Sequence, residues 1–204
     1  MHNLFAKCGF NCGHCPSYKE NLKTDKDRQQ CSDGWYRYHG FRFTPEKLVC
    51  CDGCQVPADE NPVRYLISGC YIRRCAEKNS AETCAHCSGY PCEDIERVGG
   101  ANSREVSASR LGILPEEIPE EDYLTFIKPY EGLTHLDAIR NSLNQKDIVK
   151  MTTPSPVKVQ PFPELPFSKE EISAYEAVYQ LLAKVSSVTG DTHARQTVLE
   201  KKKK

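Results

Sequence analysis

The 204-residue sequence predicts a mainly α protein with irregular loops: a small cysteine-rich knuckle lobe followed by a helical C-terminal region. Three observations carry that expectation. All twelve cysteines lie between Cys8 and Cys92, most of them in runs with short gaps. Residues 93–204 hold no cysteine and repeat apolar residues at helical spacing. The hydrophobic fraction, 39%, is low for a chain that must bury a full apolar core, so the first lobe needs another source of cohesion.

Residues 1–98 form the expected cysteine-rich domain. Its first knuckle spans residues 1–16, and Pro16 is placed to begin a helix at its first turn. Residues 17–30 are polar and helix-compatible. Trp35, Tyr36, Tyr38, Phe41 and Phe43 form an aromatic cluster interrupted by Gly34 and Gly40, read as core packing against the knuckles. Residues 50–70 are loop-like, marked by Gly53, Pro57, Asn61-Pro62 and Gly69. Short helices are expected over 73–79 and 91–98, and Gly99-Gly100 closes the domain.

The helical extension covers 99–150. It has candidate helices at 103–111 and 119–126, the latter with Glu120, Glu121 and Asp122 complementing the helix dipole. Gly132 precedes a third, carrying Leu133, Leu136, Ile139 and Leu143 on one face. Residues 151–167 read as a proline-rich strap or linker, with Pro154, Pro156, Pro161, Pro163 and Pro166. Residues 168–204 read as a C-terminal amphipathic helix opened by a Ser168/Glu171 capping box, ending in a frayed basic tail.

The cysteine runs are Cys8-x3-Cys12-x2-Cys15, Cys51-x2-Cys54, Cys70-x4-Cys75 and Cys84-x2-Cys87-x4-Cys92. Two thiolates held in one tight turn grip a single ion, and two such turns close a tetrahedral four-sulfur site. The ten patterned cysteines are therefore the metal-ligand candidates, and the lobe reads as a set of metal knuckles. One economical grouping takes Cys12, Cys15, Cys51 and Cys54; another takes Cys75, Cys84, Cys87 and Cys92. Cys8 and Cys70 then join each other or replace a member of either set. Cys31 and Cys50 lie outside the pattern and read as small buried hydrophobes. His14 and His86 sit inside ligand turns, but thiolates are abundant enough to leave them in other roles.

Zinc, about two ions per chain, is the leading expectation. A 4Fe–4S cluster is the alternative, because Cys8-x3-Cys12-x2-Cys15 matches the run that radical S-adenosylmethionine enzymes use, and Cys15-Pro16 fits ferredoxin-like spacing. The chain lacks the length and the strand–helix alternation of that enzyme class. A dithiol–disulfide couple at a Cys-x2-Cys pair is a third possibility.

No Gly-rich phosphate loop, nucleophile elbow or His-Glu-x-x-His run occurs, and closed four-thiolate sites leave no open position for substrate. The carboxylate pairs Glu116-Glu117 and Glu120-Glu121 read as solvated helix termini. The reading therefore leans away from an enzyme and names no catalytic residue. Arg73 and Arg74, between Cys70 and Cys75, are placed to balance thiolate charge. Residues 1–98 carry 13 basic and 13 acidic side chains, so no basic field favours nucleic acid. No stretch approaches the roughly 18–20 apolar residues of a membrane helix, and no signal sequence is evident. A cytoplasmic setting, where thiols stay reduced, is expected, with a protein partner possible.

The order C-G-F-N-C-G-H-C-P (8–16), C-D-G-C (51–54), C-Y-I-R-R-C (70–75) and C-A-H-C-S-G-Y-P-C (84–92) resembles domain-of-unknown-function family 3795, cysteine-rich proteins of bacteria and archaea. The resemblance spans about residues 5–98. Residues 118–130, I-P-E-E-D-Y-L-T-F-I-K-P-Y, resemble the segment C-terminal to that domain in some relatives. The resemblance implies prokaryotic origin and a zinc-type metal site at the ten patterned cysteines, with no substrate and no reaction.

Overall fold

The computed structural model describes residues 3–40, 43–63 and 70–152. The chain starts with a tight loop closed by Ala6 N–H to Phe10 O and Cys12 N–H to Leu4 O, both 2.7 Å. The buried Asn11 side chain braces it from within, accepting from Leu4 N–H (3.2 Å) and donating to Asn3 Oδ1 (2.9 Å). A single 3₁₀ turn, Cys12–His14, comes next. The helix expected after Pro16 does not form. Residues 17–19 instead pair with the next cysteine turn: Cys51 N–H donates to Ser17 O (2.8 Å) and Lys19 N–H to Cys51 O (2.9 Å). Burial of the Tyr18 side chain, 6% exposed, fixes that pairing.

Helix α1 (Asp25–His39) opens on a Thr24/Asp27 capping box, in which Thr24 Oγ1 accepts from Asp27 N–H (3.2 Å) and Asp27 Oδ2 from Thr24 N–H (2.8 Å). It runs through Gly34 without a break and stops at Gly40, in the left-handed region. The sequence expectation of an interrupted aromatic cluster is thus corrected: Trp35, Tyr36 and Tyr38 ride on one helix. Gly34 is a notch rather than a breaker, because the Phe126 ring lies 2.1 Å from where its Cβ would stand.

Four further helices fall in the expected segments, three of them to within about two residues, whereas the one expected over 119–126 ends four residues early. They are α2 (Tyr71–Lys78), α3 (Glu93–Gly99), α4 (Arg104–Leu111, N-capped by Ser103) and the short α5 (Glu120–Asp122). The last widens into a π-helical turn, Tyr123–Ile127, then tightens into a 3₁₀ turn, Lys128–Tyr130. Pro129 lacks the N–H that an uninterrupted α-helix needs there. Helix α6 (Gly132–Ser142) completes the set. Only isolated bridges, Phe5 with Asn11, Tyr18 with Cys51 and Cys87 with Val149, break the helix-and-loop pattern among the described residues. The proline-dense stretch 154–166 and the capped helix from Ser168 lie outside the described residues.

Two apolar clusters hold these elements. One joins Tyr38 of α1 to Ala108, Ile118, Phe126 and Ile127. The other joins Ile72, Ala85, Ile95 and Leu136, with Cys8, Cys70 and Cys84 packed on its border. The extension therefore packs on the cysteine lobe, and all described residues fall in one compact unit spanning 1–160. At the tightest crossing, the first loop lies on the start of α6. A Cβ on Gly132 would meet Cys8 O at 2.5 Å and Gly99 Cα at 3.0 Å. Both are backbone atoms with little freedom to retreat. Gly132→Ala should cost about 2–3 kcal/mol, read as a lowered urea midpoint; an unchanged midpoint would show that this crossing is not packed as described.

Candidate metal centre

Cys75, Cys84, Cys87 and Cys92 line one small cavity of about 30 Å³, with Ile95 and Met151 among its other walls. Cys75 comes from α2, Cys84 from the start of a 3₁₀ turn (Cys84–His86), Cys87 from its C-cap, and Cys92 from the N-cap of α3. The turn is pinned on three sides. Cys84 N–H donates to Lys7 O (2.8 Å). Arg140 of α6 donates to Ala85 O (2.7 Å) and Cys87 O (3.1 Å). His86 Nδ1 accepts from Thr83 N–H (3.3 Å), while its Nε2 stands 3.6 Å from Glu82. His86 thus closes its own turn, and this engagement accounts for its place between two thiols.

The other six patterned cysteines gather around the first loop. Burial raises the Cys8 thiol well above its ordinary pKa, with added repulsion from Cys70, Cys54 and Cys12. Burial pushes Cys12 up to about 12, and Cys15, Cys54 and Cys51 push it the same way. Burial also raises Cys51 and Cys70, and each feels Cys54. The Tyr18–Cys51 pairing carries the Cys51-x2-Cys54 turn onto the first knuckle, and a Cβ on Gly53 would lie 3.5 Å from Cys12 Cβ. Cys54 is fixed from α2 by Arg73, 3% exposed, which donates to Cys54 O and to Val56 O (2.8 Å) and lies 3.9 Å from Cys54 Sγ. Its Nε meets Glu77 at 2.7 Å as an ionic contact rather than an aligned hydrogen bond. In the four-thiol cavity the same physics operates: burial drives Cys84 to about 12, reinforced by Cys92, Cys75, Cys87 and Cys70. Cys75 is raised by burial, then by Cys87 and Cys92.

Backbone amides work against this. The N–H two residues on favours the charged sulfur at Cys8 (from Phe10) and at Cys70 (from Ile72), and Gly53 and Gly89 donate to Cys51 Sγ and Cys87 Sγ at 3.3 and 3.4 Å. A neutral thiol is a weak acceptor, so the two amide bonds from Gly53 to Cys51 and from Gly89 to Cys87 favour the charged form of those sulfurs. The donor chemistry therefore fits a soft cation, although no group of three or more His, Cys, Asp and Glu side chains among the described residues is arranged to hold an ion as it stands. The observation that supports the fit is the set of amides aimed at sulfur.

Cys31 and Cys50 are placed differently. Cys31 is 0% exposed on α1, its thiol raised by burial. Cys50 donates its S–H to Leu22 O (3.4 Å), a proton a ligand would have to surrender. Sequence reading missed three residues around the sulfurs. Tyr130, half-buried, accepts from Trp35 Nε1 (3.0 Å), which leaves its own proton for Cys15 Sγ at 3.1 Å. Asn79 Nδ2 donates to Cys75 O (2.8 Å), and Met151 closes the four-thiol cavity. None carries a local motif. The amide pattern did leave one trace, a glycine two residues after Cys51 and Cys87.

Residues 4–97 match the model of a family described as a protein of unknown function (DUF3795). No curated protein and no solved structure matches the chain.

Because the buried thiols are held protonated at neutral pH, a cation entering them must expel their protons, and its affinity must rise with pH. Calorimetric zinc titration at pH 7 in buffers of different ionisation enthalpy should report about four protons released per ion. Release of fewer than one would mean that the sulfurs are already ionised.

Proposed function

We propose that the chain, whose residues 4–97 match the DUF3795 family model, is a thiolate metal-binding module, with zinc as the ion and its role mainly structural. The observation that carries this is the convergence of Cys75, Cys84, Cys87 and Cys92 on one cavity of about 30 Å³. That volume suits a water or a single ion and is far below the several hundred Å³ of an organic-ligand pocket. Four sulfurs complete a zinc coordination shell and leave no position for a reacting water, which favours scaffolding over catalysis. Cys8, Cys12, Cys15, Cys51, Cys54 and Cys70 supply donors for a second ion, with Arg73 offsetting part of their charge. The ions would fix the irregular loops and so shape a surface for a protein partner. Even charge and reduced thiols support a cytoplasmic protein that does not bind nucleic acid. No helix among the described residues is long and apolar enough to cross a membrane.

A second reading has its own observation. Six neighbouring thiols exceed what one zinc needs, and they include the Cys8-x3-Cys12-x2-Cys15 run, which also suits a 4Fe–4S cluster in electron transfer. Elemental analysis separates the two. Colourless protein with about two zinc per chain, from both aerobic and anaerobic preparations, is the expected result. A brown anaerobic preparation with iron and acid-labile sulfide would overturn zinc at the six-thiol group.

A further inference from the structure

The four-thiol cavity is not left to its cysteines. Residues 149–152 cross its mouth and are bonded to the ligand turns on both sides. Val149 N–H donates to His86 O (2.8 Å), and Ser88 N–H donates back to Val149 O (2.9 Å). Met151 N–H donates to Ser88 Oγ (2.9 Å). Thr152 gives its N–H and its hydroxyl to Asn79 Oδ1, at 2.8 and 2.9 Å. Asn79 in turn holds Cys75 O at 2.8 Å and sets its Nδ2 3.8 Å from Cys75 Sγ. The same side chain therefore ties a candidate ligand to the segment that covers it. Met151 lines the cavity, and its Sδ and Cε lie 2.9 Å from the point where a Cβ on Gly89 would stand, with Cys87 Sγ 3.8 Å from that point.

From this we infer that residues 149–152 are the lid of the four-thiol site, and that Met151 sets how slowly the site yields its ion to chelators and thiol reagents. The inference rests on the metal reading above. A thioether is neutral and cannot rival four thiolates for a divalent ion, so its contribution is apolar, polarizable cover that keeps water and hard chelators off the sulfurs. The absence of a side chain at Gly89 makes room for that cover. A methyl there would collide with the far end of Met151 and meet Cys87 Sγ only at ordinary contact distance, so Gly89→Ala should dislodge the lid residue while leaving the backbone turn in place.

The test is the rate at which zinc-loaded protein gives up metal to a coloured chelator. The phase belonging to this site is the one that Cys92→Ser abolishes. Met151→Ala and Gly89→Ala should each accelerate that phase roughly tenfold or more, and Met151→Leu should restore the slow rate because it keeps the cover without the sulfur. Asn79→Ala should speed amide exchange at Thr152, whose N–H it removes from its acceptor, and should accelerate the Cys92-dependent phase as well. Rates within twofold of the parent protein in both Met151→Ala and Gly89→Ala would overturn the lid, as would Met151→Leu behaving like Met151→Ala. Parent protein with no Cys92-dependent zinc would instead overturn the four-thiol site itself, so the two failures are distinguishable.

Discussion

Crowded, partly buried sulfur with little counter-charge beyond Arg73 is the constraint on which this structure turns. The lobe brings ten thiols into two neighbourhoods, nine of them partly buried and Cys92 exposed, and burial and then like charge oppose ionisation, as at Cys12 and Cys84, both driven to about 12. Against this, backbone N–H groups of Gly53 and Gly89 donate to Cys51 and Cys87, which favours the charged sulfur there. The two tendencies conflict unless a cation is present. On the proposed reading, a soft divalent ion resolves the conflict and turns the same burial from a cost into a sealed site.

On the proposed reading, the apolar clusters do not make the ion redundant. The Ile72, Ala85, Ile95 and Leu136 cluster is small and borders Cys8, Cys70 and Cys84, so packing and ligand placement share the same atoms. Helix α6 serves both: Leu136 fills that cluster while Arg140 holds the Cys84–His86 turn through Ala85 O and Cys87 O. On the other side, the π turn at Tyr123–Ile127 buries Phe126 against Gly34 and precedes Tyr130, which reaches Cys15. The extension is thus part of the lobe's architecture.

Much of the helical plan was legible because it is written in local spacing, as the cysteine runs are. Capping chemistry marks α4 at Ser103 and α1 at Thr24 and Asp27, although the aromatic run and Gly34 obscured the second. Gly34 could not be read as a helix interior because its reason, the Phe126 ring, lies 92 residues away. Pro16 failed as a helix start because a distant partner, Cys51, claims the backbone of residues 17–19. The same rule covers the site. Cysteine pairs two residues apart announce themselves, whereas Asn79, Tyr130 and Met151 acquire meaning only when the fold carries them to sulfur.

X-ray absorption at the zinc edge of the loaded protein tests the central claim most directly. The account predicts a first shell of about four sulfurs near 2.3 Å, with no substantial nitrogen or oxygen contribution. A shell dominated by lighter atoms, or protein that retains no metal on desalting, would contradict it.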